Sequence, residues 1–362
     1  MKFDAIVVGA GPAGATAAYF LAKAGLNVLS LEKKKLPRFK PCGGGISHKF
    51  LRSLPFDASP AITGLVSRIK YFYKITDPFK VELGAQLAML NRQKFDFLIV
   101  EEAVRSGAKL CDGIKLAGID VKENGIAVTT ETEKFEAKYL VGADGVFSQI
   151  AIWAGLRASR KFDLALEIEL AEPKHALDTV YLGFGQVREG YAWSFPKFDG
   201  CSVGIGGSHG KELTVELDKW LVFLGYKPSE QKFKISGHPL PLPIIGAKLQ
   251  KGRVLLAGDA AGLVNPLTGE GIRFALQSGK LAAEAIVSNN IDGYSREIYE
   301  KISSDFKYAY YLRALFAVLP GFCYRYGVKN HAASQFLAKV FCGDASFKDF
   351  FRRAVRKILL PL

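Results

Sequence analysis

The chain is poor in the residues that metal and disulfide chemistry require. Its five cysteines (Cys42, Cys111, Cys201, Cys323 and Cys342) are scattered and odd in number. None has the spacing of a zinc ligand set, which argues against a disulfide scaffold or a structural zinc. The five histidines (His48, His175, His209, His238 and His331) form no pattern, so no metal is expected and none takes a catalytic role. No Ser/His/Asp order and no paired-carboxylate spacing is readable. There is no run of about 18 uncharged apolar residues, so no helix is expected to cross a bilayer. The opening MKFDAIVVGAGPAG lacks the basic region, apolar core and cleavage site of a signal peptide. A cytoplasmic protein is expected, with peripheral attachment to the inner face of the cell membrane left open.

Acidic residues are also short. Asp+Glu number 35 against 49 Lys+Arg, a formal net charge of +14 and a pI near 9.4. Such an excess favours anionic partners: nucleic acid, phospholipid head groups or phosphorylated substrates. From Arg296 onward, basic residues outnumber acidic ones more than twofold, and about a third of the aromatics lie there. This reads either as a membrane-facing surface or as a solvated helical face over an aromatic core.

What is present is globular. The hydrophobic fraction is 49% and the charged fraction 23% over 362 residues. That excludes a disordered chain or a coiled coil and suggests two domains. FDAIVV at 3–8 reads as a buried parallel strand. Helical spacing follows up to Gly25, then a second strand at 26–32. Residues 94–106 read as a helix, and 110–141 as strands. From about 160 to 245 alternating segments suggest an antiparallel sheet. RVLLAGDAAG at 253–262 returns to strand, Gly turn and helix. The remainder is mostly helical, broken at Pro320-Gly321. The expected class is α/β: a Rossmann-type dinucleotide-binding domain (1–155 plus 246–290), an inserted antiparallel-sheet substrate domain (156–245) and a helical C-terminal region (291–362).

Gly9-Ala10-Gly11-Pro12-Ala13-Gly14 is G-x-G-x-x-G between strand and helix. Gly9 allows the tight turn, Gly11 lets backbone approach a pyrophosphate, and Gly14 lets helix and strand pack closely. The helix N-terminus offers free N–H groups to that anion. Glu32, at the end of the next strand, is placed to bond ribose hydroxyls. Gly204–Gly210 is also glycine-rich but lies in the antiparallel region, with no helix of βαβ type expected after it. One dinucleotide motif is therefore expected, not two.

Two later turns, Gly142-Ala143-Asp144-Gly145 and Gly258-Asp259-Ala260, each place an Asp just after a strand. With the first motif they resemble the large FAD-dependent family that includes p-hydroxybenzoate hydroxylase, over roughly residues 1–280. That resemblance implies FAD, with Asp259 on the ribityl chain, and Gly269, Gly271 and Ile272 over the isoalloxazine. It puts Arg92 on the phosphate side and the Leu116 backbone against adenine. Ala13 and Lys33 join the same set. Three local segments are similar to geranylgeranyl reductases. They are Lys40-Pro41-Cys42-Gly43-Gly44-Gly45-Ile46, Gly190-Tyr191-Ala192-Trp193-Ser194-Phe195-Pro196 and Pro266–Ile272. They imply Cys42, Gly43 and Gly45 at the flavin, Cys42 as a candidate proton donor, and Tyr191, Trp193 and Phe195 along an isoprenoid cavity. The alternating aromatics also fit plain core packing.

The implied activity is reduction of isoprenoid (geranylgeranyl) C=C bonds in membrane-lipid precursors. NADPH or ferredoxin would be the external reductant, with an anionic membrane surface as a further partner and no nucleic acid. Position 151, where the hydroxylase pattern D-G-x-x-S-x-x-R needs Arg, is Ala. This departure weighs against the alternative of a flavin monooxygenase on an aromatic or polyene substrate. A non-catalytic flavin fold that binds membrane or nucleic acid is the other alternative.

Overall fold

Strand Lys2–Val8 is apolar on both faces, and Ala5, Ile6 and Val7 are fully buried. A strand of this kind needs cover on both sides, the mark of a parallel sheet. It pairs in parallel with Val28–Glu32 on one side and Lys134–Gly142 on the other. Lys109–Asp112 extends one edge and Val254–Leu256 the other, both in parallel. An antiparallel flap, Leu116–Lys122 and Gly125–Thr130, joins Lys134–Gly142. Helices Pro12–Lys23 and Ile272–Val287 pack so closely that a Cβ on Gly279 would lie 2.1 Å from the Ala13 carbonyl oxygen.

The computed structural model describes residues 2–359 except His209 and Gln231. The chain divides into two units, each assembled from three stretches. The first comprises Met1–Phe39, Gln93–Lys161 and Leu240–Ser304, and the second Lys40–Arg92, Phe162–Pro239 and Asp305–Leu362.

The second unit is built on an eight-stranded sheet. The alternating segments between 159 and 243 supply the strands of one side. Ile62–Tyr73, Thr76–Leu90 and Gly45–Ser47, from a region the sequence reading grouped with the first domain, complete it. Their alternation explains why: Val81 and Leu83 are buried while Lys80, Glu82 and Gly84 between and beside them are not. Helix Gly210–Phe223 covers one face through Leu213, Leu217, Trp220 and Leu221. The other face carries Tyr71, Trp193, Tyr324, Val328 and Ala338 in one cluster.

One expectation needs correction. Beyond Val254–Leu256 the chain makes only a single 3-10 turn, Gly258–Ala261, and the long helix waits until Ile272. Gly262 adopts the left-handed conformation that ends the turn (φ +66). The Asn265 side chain then accepts from the Leu267 and Thr268 N–H groups and shapes the delay. The glycine run from Gly204 is followed by helix Gly210–Phe223, but the strand before it pairs antiparallel on both sides, so this helix is not of βαβ type, as expected. His209 of that run lies outside the described residues.

Helix Ser304–Val318 ends where Leu319 leaves the helical region and Pro320 begins a new turn. Arg313, which interrupts the apolar stretch 309–327, faces inward. It bonds both carboxylate oxygens of Asp163, at 2.5 and 2.9 Å, and Glu189 at 2.9 Å. No described helix is long and apolar enough to cross a membrane.

Candidate functional site

In the first unit the glycine turn leaves strand Lys2–Val8 and caps helix Pro12–Lys23. Gly9 has φ +98, and a Cβ there would lie 2.3 Å from the Ala143 carbonyl oxygen, so no other residue fits. A Cβ on Gly14 would lie 1.8 Å from the Gly9 oxygen. Gly11 differs: a Cβ there would meet only the Arg38 guanidinium, at 3.3 Å. Its outer side is open. No side chain caps the helix, Pro12 occupies the first turn, and no acidic residue is present there. The arrangement is an unshielded, positive helix end with one open backbone approach, which fits the pyrophosphate of a dinucleotide.

Arg38 carried no sequence signal. It lies within the irregular stretch 33–44, and only the fold brings its guanidinium beside Gly11, 3.6 Å from the buried Asp96 carboxylate. Glu32 lies where expected, at the end of its strand and buried. One oxygen accepts the Ala10 N–H at 2.8 Å and the other the Lys34 N–H at 3.0 Å. Glu32 therefore holds the turn itself, and each oxygen keeps one lone pair for a ribose. Lys33 is exposed beyond it, and Leu116 is half-buried at the start of the flap.

The distant Gly-Asp turn folds back onto the same helix. A Cβ on Gly258 would meet that of Ala13 at 2.8 Å. Asp259 comes within 3.7 Å of the position a Gly271 Cβ would take. Gly271 caps helix Ile272–Val287 without a side-chain bond, so a second unshielded helix start lies beside the Asp259 carboxylate. Gly269 sits in the preceding turn, its N–H bonded to the Asn265 carbonyl.

The other Gly-Asp turn has a different job. Asp144 accepts from Ser148 Oγ at 2.5 Å and from the Gln149 and Ile150 N–H groups. Burial pushes its carboxyl up, against those hydrogen bonds. It shapes the start of helix Gln149–Trp153, where Ala151, in place of the Arg of the hydroxylase pattern, is buried and its N–H donates to Ser148 Oγ.

In the second unit the structure brings the Cys42 loop onto the aromatic strand. A Cβ on Gly43 would lie 2.5 Å from the Phe195 ring and 3.3 Å from Trp193 Nε1, and one on Gly45 3.4 Å from Phe195. Tyr191, Trp193 and Phe195 form a row of rings with centroids 6.0 and 6.3 Å apart. Trp193 is 8% exposed, whereas Tyr191 and Phe195 are half-buried. Trp193 thus belongs to the core, as the packing reading required, while its two neighbours stay partly accessible. Arg92 is buried at the start of helix Arg92–Arg105.

Sequence reasoning missed one cluster altogether. On the face of the aromatic row lie Glu167, Glu169 and Lys197, with Lys197 Nζ bonded to Glu169 at 2.6 Å. Their i, i+2 spacing is ordinary for a strand, and only cross-strand register reveals them as a group.

Residues 2–172 match the FAD binding domain family. The digeranylgeranylglycerophospholipid reductase of Methanococcus vannielii is 30% identical over 340 residues, covering 86% of this chain and 83% of that protein. The geranylgeranyl diphosphate reductase of Rhodobacter capsulatus is 31% identical over 312 residues, 80% of this chain and 76% of that protein. A geranylgeranyl bacteriochlorophyll reductase-like structure from Thermoplasma acidophilum superposes with a TM-score of 0.80 at 25% identity, covering 98% and 96% of the two chains.

Proposed function

The chain belongs to the geranylgeranyl reductase family of FAD-dependent oxidoreductases, and we propose that it saturates isoprenoid C=C bonds of a membrane-lipid precursor. Bound FAD, once reduced, supplies the hydride for such a bond. The observation that carries the reading is the open approach at Gly11 between an unshielded helix end and Arg38. The pyrophosphate is assigned to that turn, with Ala13 and Gly14 behind it. The ribose is assigned to Glu32 and Lys33, the adenine to the Leu116 backbone. Asp259, Gly269, Gly271 and Ile272 are assigned to the ribityl chain and ring. Family resemblance alone extends the set to Cys42, Gly43, Gly45 and Arg92.

Tyr191, Trp193 and Phe195 are proposed to line the isoprenoid's path. Their rings present apolar, water-excluding surface. The external reductant is proposed to be NADPH or ferredoxin; the Gly204 run is strand through Gly207 rather than a dinucleotide turn. Anaerobic incubation of the reduced protein with a geranylgeranyl lipid tests the assignment. Products gaining two hydrogens per bond support it, and incorporation of oxygen would point to a monooxygenase instead.

The lipid is proposed to be met at a bilayer surface. Tyr311, Leu315, Val318, Leu319, Phe322 and Tyr326 are all exposed and recur at helical spacing, with Lys307 and Arg325 exposed beside them. Such a stripe suits head-group depth, where each nearby Lys or Arg adds about 1 kcal/mol against an anionic leaflet.

A further inference from the structure

Glu167 lies in one cross-strand row with Gly204 and Trp193. Residues in such a row project to the same side of a sheet. Gly204 leaves a gap that the indole fills: a Cβ there would lie 2.1 Å from Trp193 Cζ2. Glu167 therefore borders the aromatic face, and it is 3% exposed. The Cys42 backbone N–H donates to its carboxyl, while Oε1 has no hydrogen-bond partner. Two residues on, Glu169 points the same way with its side chain 39% exposed, and Lys197 is committed to it. The two carboxyls form a step from solvent to interior.

We propose that Glu167 is kept as a neutral carboxylic acid and supplies the proton consumed when an isoprenoid double bond is reduced, Glu169 returning a proton to it from solvent. The inference rests on the reductase reading. Saturating one C=C takes a hydride, from a reduced flavin, and a proton. The O–H bond of Glu167 breaks as the alkene's π pair forms a C–H bond to that proton. The hydride's own pair forms the C–H bond at the other carbon. The carboxylate left behind is neutralised by a proton from water by way of Glu169.

The electrostatics favour this division. A buried, unpaired charge is costly, and two adjacent carboxyls resist ionising together. Lys197 Nζ bonds Glu169 and not Glu167. Burial first, and then the Glu169 charge, push the Glu167 carboxyl up to about 8, against the pull of Lys197 and the Cys42 N–H. The other members of that row, Gly204 and Trp193, bring no titrating group.

The test is Glu167→Gln, nearly isosteric and without a transferable proton, beside Glu169→Gln, both as FAD-loaded protein. Infrared titration should show a protonated carboxyl persisting at neutral pH in the wild type. That band should be absent in E167Q and titrate at lower pH in E169Q, where the like charge is gone. Single-turnover oxidation of the reduced enzyme by a geranylgeranyl lipid should slow about 100-fold in E167Q at unchanged FAD content, as loss of a general acid does. The alkaline limb of the wild-type pH profile should vanish with it. An E167Q enzyme that turns over at the wild-type rate with its alkaline limb intact overturns the proposal. So does a Glu167 carboxyl that titrates in the ordinary carboxylate range. A wild-type enzyme that reduces no isoprenoid, whatever the infrared titration shows, overturns the reductase reading itself.

Discussion

A side chain at Gly11 would meet almost nothing of the protein, which makes Gly11→Val a probe of the cofactor rather than of the fold. Among the described residues a Cβ there would meet just the end of the Arg38 side chain, at 3.3 Å, so the protein should remain folded. The valine methyls would occupy the pyrophosphate's approach, and the purified variant should be colourless, with flavin absorbance lost and the unfolding transition retained. At Trp193 the ring is itself core, and truncation to Ala would cost about 3–5 kcal/mol. Trp193→Phe keeps an aromatic ring but gives up the Nε1–H bond to Ser202 and part of the indole's cover over Gly204. It should lower lipid turnover severalfold while FAD content, read by absorbance, stays at the wild-type level. Gly9, Gly14 and Glu32 were legible because strand, turn and helix are contiguous and their spacing is local. Arg38 and Glu167 were not, because each acquires its neighbours from chain far away in sequence.

Among the elements, helix Ser304–Val318 divides its two faces sharply. Its inner face carries Arg313, and Arg313→Met would strand the Asp163 and Glu189 carboxylates together. Removing one partner of a buried ion pair costs about 3–5 kcal/mol. The urea midpoint should drop accordingly, and the double variant with Asp163→Asn should recover part of the loss. The outer face carries the apolar stripe, where Val318 is 75% exposed. Val318→Asp with Phe322→Asp should leave the urea midpoint nearly unchanged but reduce co-sedimentation with anionic liposomes. Binding by the unaltered protein should weaken as salt rises; indifference to lipid charge and salt would retire the docking idea. The sequence showed that this region was helical, basic and aromatic. It could not show which face Arg313 took, since helical spacing alone does not identify the carboxylates waiting across the unit.

For the molecule as a whole, the buried acids set how stability follows pH. The native state holds the Glu167 proton more tightly than an unfolded chain would. Its contribution to stability is therefore fully present at acid pH, declines as pH climbs through the ordinary carboxyl range toward about 8, and levels off beyond. Asp144, also raised by burial, adds to the same slope. Urea midpoints measured from pH 5 to 9 should fall less steeply in Glu167→Gln than in the unaltered protein. The division into two units also bears on how the chain is made. Each unit draws on three separated stretches, and the first is not complete until residues near 304 have been synthesised. Gly9 to Gly14 are made some 250 residues before Asp259 and Gly271. A nascent chain can therefore close neither its first sheet nor the proposed cofactor cradle until these later stretches have been made, and flavin capture has to wait for them.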